Sequence, residues 1–256
     1  MIYITGDTHA SFDRFSTKRF PEQKQMTKDD YVIICGDFGG IWTYGDSDSS
    51  ERYWLDWLES KPFTLLFVDG NHENYDRLKK FPVVRFHGGK VHKIRDNIYH
   101  LMRGYIFELE GKKFFAFGGA SSHDIQDGIL DIKDYKSVKE LVNDYNSRTR
   151  RGQMLRINNF SWWKEELPSK YEMQRGRDNL KNVGYKVDYV ISHCLPQSVV
   201  TCLYGGKTSS DIQTRYFDKL LQEGLLFDQW FAGHYHMNER LFGEYTILYK
   251  DIMRLQ

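Results

Sequence analysis

The sequence predicts an α/β protein built on a mostly parallel, helix-covered sheet. Residues 1–72 alternate strand-like apolar runs with loop and helical segments, and the same alternation returns after residue 187. Such alternation is typical of parallel sheets, because the connecting helices cover the faces of the sheet. Residues 83–118 differ, since glycines and an Asp-Asn turn divide them into short β-like runs. This stretch predicts a second, more antiparallel part.

Five apolar runs are the predicted strands of the parallel part: Met1–Thr5, Tyr31–Cys35, Phe63–Val68, Tyr189–Ile191 and Phe227–Ala232. An apolar stripe predicts a helix from a Ser50 cap to Leu58, and a short helix at Tyr75–Phe81 ends before Pro82. The β runs predicted in the antiparallel part are Lys90–Ile94, Ile98–Leu101, Tyr105–Leu109 and Lys113–Phe117.

Residues 119–186 are the least sheet-like portion of the chain. Helices are predicted over 133–147 and from Ser169 toward Val183, because Ser169 and Glu172 form an S-x-x-E capping box. We predict one domain, residues 1–256, with 124–186 as a helical insertion or lid over the strand ends. The alternative is a solvated helical excursion without contact to substrate. A helix at Ser210–Gln222 and two β runs within Leu241–Leu255 complete the domain.

Metal-type ligands stand in the turns directly after the five parallel strands. They are Asp7, His9, Asp37, Asn71, His193, His234 and His236. Ligands of open α/β sheets bind outside the carboxyl ends of the strands, which is where these turns fall. Carboxylate oxygen and imidazole nitrogen suit hard or borderline divalent metals. Two such ions about 3.5–4 Å apart can clamp a phosphoryl group. The pattern therefore predicts a polynuclear centre, and glycine in four turns predicts positive φ there.

Composition excludes several other classes. The formal net charge is +1, so no global field argues for nucleic acid or an anionic membrane. No apolar run approaches 18 residues, and strand-like sequence from Met1 leaves no room for a signal peptide. Three cysteines, Cys35, Cys194 and Cys202, without a CxxC pair suit a reducing compartment. We expect a cytoplasmic protein without membrane contact; the sequence is silent on its oligomeric state.

These turns resemble, in order, those of the calcineurin-like metallophosphoesterase family. The family's motifs are D-x-H, G-D, G-N-H-E, a histidine after a strand, and G-H-x-H. Their counterparts span Asp7 to His236, which is essentially the whole chain. The Gly118–Asp124 turn and the Trp162-Trp163 pair further resemble a bacterial and phage subgroup of that family.

The resemblance implies a four-layer α/β/β/α sandwich of two mixed sheets, with two metal ions at the strand ends. It assigns Asp7, His9 and His236 to the first ion. It assigns Asn71, His193 and His234 to the second, with Asp37 bridging the two. The ions are divalent or trivalent, and manganese, iron or zinc suits these ligands. His72 binds no metal in this scheme and acts as general acid on the leaving oxygen.

The expected reaction is hydrolysis of a phosphomonoester or phosphodiester by a metal-bound hydroxide, with Asp37, Asn71 and His72 as catalytic residues. The family's protein phosphatases carry G-D-x-x-D-R-G, whereas this chain has Gly36-Asp37-Phe38-Gly39-Gly40-Ile41-Trp42. The missing arginine favours a small soluble substrate, nucleotides included, over protein. It also leaves phosphate binding to the metals, Asn71, His72 and another arginine. A single-strand nuclease and a non-catalytic binding scaffold are the alternatives.

Several other polar residues have two interpretations. His123 follows a predicted strand and is a candidate substrate contact. Glu73 is either an acid at a helix start or a partner that orients His72. His87, His92 and His100 are interpreted as surface or packing residues. Arginines at 148–156 form either a solvated face or a phosphate grip, and Trp162-Trp163 packs the insertion or stacks a base.

Overall fold

A computed structural model describes residues 1–206 and 208–255. The first sheet has seven strands, in the spatial order β15 (Ile252–Arg254), β1 (Ile2–Thr5), β2 (Tyr31–Ile34), β3 (Thr64–Phe67), β6 (Ile98–Leu101), β5 (Gly89–Arg95) and β4 (Val83–Phe86). The second sheet has six, in the order β13 (Glu239–Leu241), β14 (Tyr245–Ile247), β12 (Gln229–Ala232), β11 (Tyr189–Ser192), β8 (Lys112–Phe117) and β7 (Tyr105–Leu109).

Helices flank both sheets. They are α1 (Ser49–Glu59), α2 (Tyr75–Leu78), α3 (Val138–Arg150), α4 (Lys170–Asn182), α5 (Gln197–Leu203) and α6 (Ile212–Gln222). A two-stranded parallel ribbon, β9 (Ile129–Leu130) and β10 (Arg156–Ile157), lies near α3 in sequence. No helix in the described ranges is long and apolar enough to cross a membrane.

Three apolar clusters define the layers. One joins residues of the first sheet, such as Ile33 and Leu66, to residues of the second, such as Phe114 and Ile191. Another packs α1 and the 3-10 segment Phe12–Phe15 on the outer face of the first sheet. A third packs α4, α5 and α6 on the outer face of the second sheet. This order of layers confirms the predicted α/β/β/α sandwich.

Both sheets are mixed, with a parallel centre and antiparallel edges. β1, β2, β3 and β6 are parallel in the first sheet, as are β8, β11, β12 and β14 in the second. The antiparallel pairing expected in residues 83–118 is confirmed, but the expectation that these runs form one second part is wrong. The strands divide between the sheets, with β4–β6 extending the first and β7–β8 extending the second. β4 was not predicted; it is an edge strand whose residues are all exposed or only partly buried.

Helix starts are where the sequence was least informative. Asp48, rather than Ser50, caps α1 by accepting a hydrogen bond from Glu51 N. α2 ends at Leu78, three residues short of the prediction, and α3 begins at Val138 rather than 133. The capping box of Ser169 and Glu172 is confirmed, because each side chain bonds the other residue's backbone N–H. The two β runs predicted within Leu241–Leu255 are β14 and β15, and β13 precedes them.

Residues 124–186 contain two different kinds of structure. α3, β9 and β10 pack around a small cluster of their own, which includes Leu130, Leu141 and Ile157. α4 instead buries Leu180 in the main cluster on the second sheet. The role of residues 124–186 as an insertion or lid stays a prediction.

Candidate metal centre

All seven predicted ligands lie at one rim, where turns from both sheets meet. Asp7 and His9 follow β1, Asp37 follows β2, and Asn71 follows β3. His193 follows β11, and His234 and His236 follow β12. The parallel centre of each sheet places these turns on the same side of the sandwich, as expected for strands that end together.

The first cluster is formed by Asp7, His9 and His236. His236 Nε2 lies 3.1 Å from Asp7 Oδ2 and 3.0 Å from His9 Nε2. His9 Nε2 is 3.6 Å from the same carboxylate oxygen. The three ligand atoms are close enough to share one metal ion.

Asp37 connects this cluster to a second, deeper one. Asp37 Oδ2 is 3.6 Å from His9 Nε2 and 3.3 Å from His193 Nε2. His193 Nε2 is also 3.3 Å from Asn71 Oδ1. A single carboxylate oxygen thus faces imidazoles from both sheets, which is the placement of a bridging ligand.

Each carboxylate is held by the backbone of a neighbouring ligand turn. Asp7 Oδ1 accepts a hydrogen bond from His234 N at 2.9 Å, and Asp37 Oδ1 accepts one from His72 N at 2.8 Å. In both residues the second oxygen, Oδ2, therefore faces the imidazoles. The carboxylates are oriented by main-chain groups that no side-chain substitution removes.

The glycines of the turns make room for these carboxylates. A Cβ at Gly70 would lie 2.1 Å from Asp37 Oδ1, and one at Gly233 would lie 2.0 Å from Asp7 Oδ1. A Cβ at Gly36 would strike His193 Nδ1 at 2.2 Å. The predicted positive φ holds for Gly36 but is wrong for Gly6, Gly70 and Gly233, whose function is close approach.

Positive φ occurs instead at the ligands themselves. His9, Asp37, His234 and His236 have φ of 44°, 46°, 68° and 51°. Non-glycine residues rarely adopt this region, at a cost of about 1–3 kcal/mol each. Such strain persists where surrounding contacts impose it, and here it coincides with the ligand rim.

The two buried carboxylates dominate the electrostatics of the site. Burial alone would raise their pKa values, but His193 and the surrounding hydrogen bonds hold the pKa of both Asp7 and Asp37 well below the usual range. Conversely, Asp37 and Asp7 raise the pKa of His193 to about 10 despite its burial. A pair of ionised carboxylates in a dry position attracts a cation, whether proton or metal.

His193 is fixed in the tautomer that a metal ligand needs. Its Nδ1 lies 2.8 Å from the carbonyl oxygen of Cys35 and donates to it, since a carbonyl can only accept. In the neutral ring this leaves the Nε2 lone pair facing Asp37 and Asn71. Such a second contact is typical of metal-binding histidines.

These residues fit a pair of metal ions. Asp7 Oδ2 is buried and accepts no hydrogen bond of acceptable geometry. The donor set consists of carboxylate and amide oxygen with imidazole nitrogen, which suits divalent transition metals. Space for the carboxylates is guaranteed by glycines that admit no side chain.

His234 is the predicted ligand whose ring nitrogen contacts a histidine outside the ligand set. Its Nε2 lies 2.7 Å from His123 Nε2, and its ring centre is 4.9 Å from that of His193. Burial lowers the pKa of His234, so its ring is neutral. His123 therefore reaches the rim, at the His234 side.

His72 lies at the opposite end of the rim, against an arginine from the 124–186 segment. Arg156 Nη2 is 3.1 Å from His72 Nε2, and its guanidinium forms a two-pronged ion pair with Asp124 at 2.7 and 2.8 Å. Burial and Arg156, opposed by Asp37, lower the pKa of His72 to about 4. The side chain of Arg156 is only 8% exposed, so this cation is built into the site.

Asn71 is oriented by a short chain of hydrogen bonds. Its Nδ2 donates to Ser122 Oγ at 3.5 Å, and Ser122 Oγ donates to Glu166 Oε2 at 2.6 Å. The amide oxygen of Asn71 consequently faces His193. We refer to Ser122, His123, Arg156 and Glu166 as the outer ring, because all four surround the strand-end ligands and come from residues 119–166.

An ion-pair network fixes the end of β3 just before Asn71. Asp69 accepts hydrogen bonds from Arg103 Nε at 2.7 Å and Tyr75 OH at 2.8 Å, and lies 2.9 Å from His100 Nε2. Arg103 also donates to the carbonyl oxygens of Glu165 and Glu166. His100 is a buried packing residue against Phe67, as one of its two interpretations predicted, and it also pairs with Asp69. The network ties the outer ring to the strand.

The remaining sequence predictions have mixed outcomes. Glu73 accepts a hydrogen bond from Phe38 N at 2.8 Å and shows no bond to His72, so its proposed orienting role is wrong. Trp163 is buried and packs as expected. Arg156 belongs to the arginines at 148–156, for which a phosphate grip was one of two interpretations, whereas Ser122 and Glu166 were not proposed as site residues from the sequence.

Comparison with known proteins agrees with this geometry. The sequence profile of the calcineurin-like phosphoesterase family matches residues 1–238, which confirms the family resemblance. The bacterial and phage subgroup stays a prediction.

Curated relatives share one description. The lariat debranching enzyme of Homo sapiens is 24% identical, over 92% of this chain and 42% of that protein. Lariat debranching enzyme A of Xenopus laevis is 22% identical with the same coverage, and the Arabidopsis thaliana enzyme is 25% identical over 92% of this chain and 54% of that protein. The chain spans about half the length of these relatives, or less.

Proposed function

We propose that this chain, which belongs to the calcineurin-like phosphoesterase family, hydrolyses a phosphomonoester or phosphodiester at the rim described above. The family makes it a metal-dependent phosphoester hydrolase. The observation that carries the specific proposal is Asp37 Oδ2, which lies 3.6 Å from His9 Nε2 and 3.3 Å from His193 Nε2. A bridging carboxylate between two ligand clusters is what a two-metal site requires.

The proposed ligand sets follow the two clusters. Asp7, His9 and His236 hold one ion. Asn71, His193 and His234 hold the other, and Asp37 belongs to both. For His234 this assignment requires its ring to exchange its contact with His123 for one with the ion. Manganese, iron and zinc all suit these donors.

The chain's own groups supply the rest of the chemistry. Bound metal ions contribute Lewis-acid polarisation of the phosphoryl group and activation of water. His72 is the proposed general acid. Its Nε2 accepts from Arg156 and its lowered pKa leaves the ring neutral, so this role requires His72 to take up a proton once a substrate phosphate has replaced it as the acceptor of Arg156. Arg156 donates to the same place through Nη2, so a phosphate oxygen bound there replaces His72 as its acceptor. A guanidinium suits phosphate because its planar N–H groups match the oxygens.

A second candidate is hydrolysis of a phosphodiester in nucleic acid. It is supported by the relatives, whose name describes debranching of a lariat. The formal charge of +1 argues against a long nucleic-acid footprint, since extended backbone contact needs a basic surface. A short or local nucleic-acid segment is compatible with that charge. A non-catalytic scaffold is disfavoured, because every ligand and His72 stand at the rim.

The test is a phosphoester panel run on metal-free protein reconstituted with manganese, iron or zinc in turn. The panel contains mononucleotides, cyclic nucleotides, dinucleoside polyphosphates, a branched and a linear oligonucleotide, and a phosphopeptide. We expect hydrolysis of at least one nucleotide ester, with activity dependent on added metal.

The matched variants are Asn71→Ala at the rim and Asp29→Ala on an exposed loop before β2. We expect Asn71→Ala to abolish turnover and Asp29→Ala to preserve it. Absence of turnover with every metal and every ester would contradict the proposed function and leave the scaffold alternative.

A further inference from the structure

A cleft of about 350 Å³ opens beside the metal rim on the His72 side. His9 and His72 line its inner end, and Trp42 and Trp54 line it farther out. The volume falls in the range of small-molecule sites. Because the cleft shares His72 with the rim, a group bound in it lies beside the proposed general acid.

Both indole rings are held in place yet partly open to solvent. The Trp42 ring lies 5.7 Å from the His72 ring and 5.8 Å from Trp163, which donates from Nε1 to Asp76 at 2.9 Å. The Trp54 ring packs 5.8 Å from fully buried Phe12. A rigid aromatic surface loses little conformational entropy when a ligand stacks on it.

The turn at residues 38–45 bounds the cleft and has few side chains that could fill it. Residues 38–45 contain no charged side chain. Gly39 and Gly40 line the cleft, and a Cβ on Gly40 would lie 2.4 Å from the Phe38 ring. Farther along the lining, Thr43 and Ser50 offer hydroxyls. The carboxylates of Asp48 and Glu51 also line the cleft, but Asp48 caps α1 and Glu51 pairs with Arg77. The cleft thus suits a flat, neutral group with hydrogen-bonding edges.

A second cleft at the rim has different chemistry. It measures about 490 Å³, is lined by His123 and His234, and shares no lining residue with the first. Hydroxyl groups, including those of Ser121 and Ser210, line it in place of tryptophan. The second cleft, called the polar cleft for its hydroxyl groups, also has Tyr204 and Tyr235 in its lining and differs from the first in lacking tryptophan.

We propose that the Trp42–Trp54 cleft is a subsite for the nucleobase of the leaving alcohol, while the polar cleft takes the second arm of a phosphodiester. The inference rests on the proposed function. It specifies which of the two ester bonds of a phosphodiester breaks. Water adds its oxygen to phosphorus and loses a proton to solvent, and the bond from phosphorus to the nucleoside oxygen breaks. His72, protonated from solvent once substrate is bound, gives that oxygen its proton. A purine or pyrimidine fits, because every base has a π face and polar edges.

The test uses adenosine 5′-methyl phosphate, a diester, and its abasic analogue with hydrogen in place of the base. We expect the wild-type enzyme to release adenosine and methyl phosphate, rather than AMP and methanol. Trp42→Ala should lower the preference for the nucleoside over the abasic diester, as a ratio of kcat/KM, roughly 5- to 150-fold. Trp42→Phe should restore most of it.

Trp57→Ala is the matched control, since Trp57 lies on the same helix as Trp54 but does not line the cleft. It should leave the preference unchanged. Release of AMP and methanol, or equal loss on both substrates in Trp42→Ala, would overturn the proposal.

Adenosine binding to metal-free protein, followed by saturation-transfer NMR, gives a readout independent of turnover. We expect a signal with wild type and Trp57→Ala and its loss in Trp42→Ala. Binding that persists in Trp42→Ala contradicts the subsite. Trp42-dependent binding in a protein that hydrolyses no ester would instead contradict the proposed function and support the subsite.

Discussion

The strand-end ligands and the outer ring meet at one rim, but different parts of the chain hold them in place. Asp7 and Asp37 are fixed by backbone N–H groups and by glycines without room for a side chain. Arg156 and Glu166 are fixed by side-chain contacts, with Asp124 and with Ser122. The comparison teaches that the candidate metal ligands are held by the main chain of the sandwich, whereas the outer ring is held by side-chain contacts among residues 119–166.

The largest effect on activity is expected from substitution of Asp37, whose Oδ2 faces both ligand clusters. Asp37→Asn keeps an acceptor for His72 N but removes the charge that faces His9 and His193. We expect loss of metal and a fall in kcat/KM of about 10³-fold or more, in line with metal-supplied activation of water. Metal content by mass spectrometry and turnover are the measurements. Full metal content with full activity would contradict the bridging role of Asp37.

His72 is expected to matter next, and only for some substrates. His72→Ala removes the proposed general acid, a contribution of about 10²–10⁴-fold when the leaving oxygen needs a proton. The loss should be large for nucleoside esters and small for p-nitrophenyl esters, whose leaving group needs no proton. Equal losses on both would assign His72 to phosphate binding instead.

Substitution of Arg156 is the most direct test of the distinction between the outer ring and the ligands. Arg156→Ala removes the cation beside His72, and we expect kcat/KM to fall about 10- to 100-fold with metal content unchanged, as for the loss of a charge-assisted hydrogen bond. Arg156→Lys should recover part of the activity, because it restores charge without the planar fork. Loss of metal in Arg156→Ala would break the distinction between the two regions.

The same distinction explains what the sequence predicted well. Asp7, Asp37 and His193 follow buried strands, so local pattern and strand order were enough to place them together. Arg156 and Glu166 come from a stretch with little apolar periodicity. Their positions depend on long-range pairs such as Arg103 with the carbonyl oxygens of 165 and 166.

The fold shows the same contrast between what local sequence predicts and what long-range packing decides. The sandwich followed from the motifs, but the antiparallel runs were predicted as one separate part and divide between the sheets. Strand partners in different sheets are chosen by packing across the whole domain, which local alternation does not encode. Helix starts missed by a few residues for a related reason: Asp48, Ser49 and Ser50 are all acceptable caps, and tertiary packing selects Asp48.

A weaker effect is expected from the chain that orients Asn71. Glu166→Ala removes the acceptor of Ser122 Oγ and so loosens Ser122 as the acceptor of Asn71 Nδ2. Contacts behind metal ligands are worth about 10- to 100-fold in metal affinity, and we expect the low end because the Asn71 contact is 3.5 Å. A metal titration measures this; unchanged affinity would limit Glu166 to packing the outer ring.

The smallest expected effect concerns stability alone. It tests whether α3 and α4, both within residues 124–186, unfold together with the sandwich or separately. Ser169→Ala removes the capping box of α4, which packs on the second sheet, and should cost about 1 kcal/mol of unfolding free energy. Ser137→Ala removes the equivalent cap of α3, whose cluster is separate. Because weakly connected units open locally, we expect Ser137→Ala to speed amide exchange in α3 with little change in global stability. Denaturant unfolding and hydrogen exchange distinguish the two. Equal global losses would place α3 and α4 in one cooperative unit and remove the physical basis for treating residues 124–163 as an addition to the sandwich.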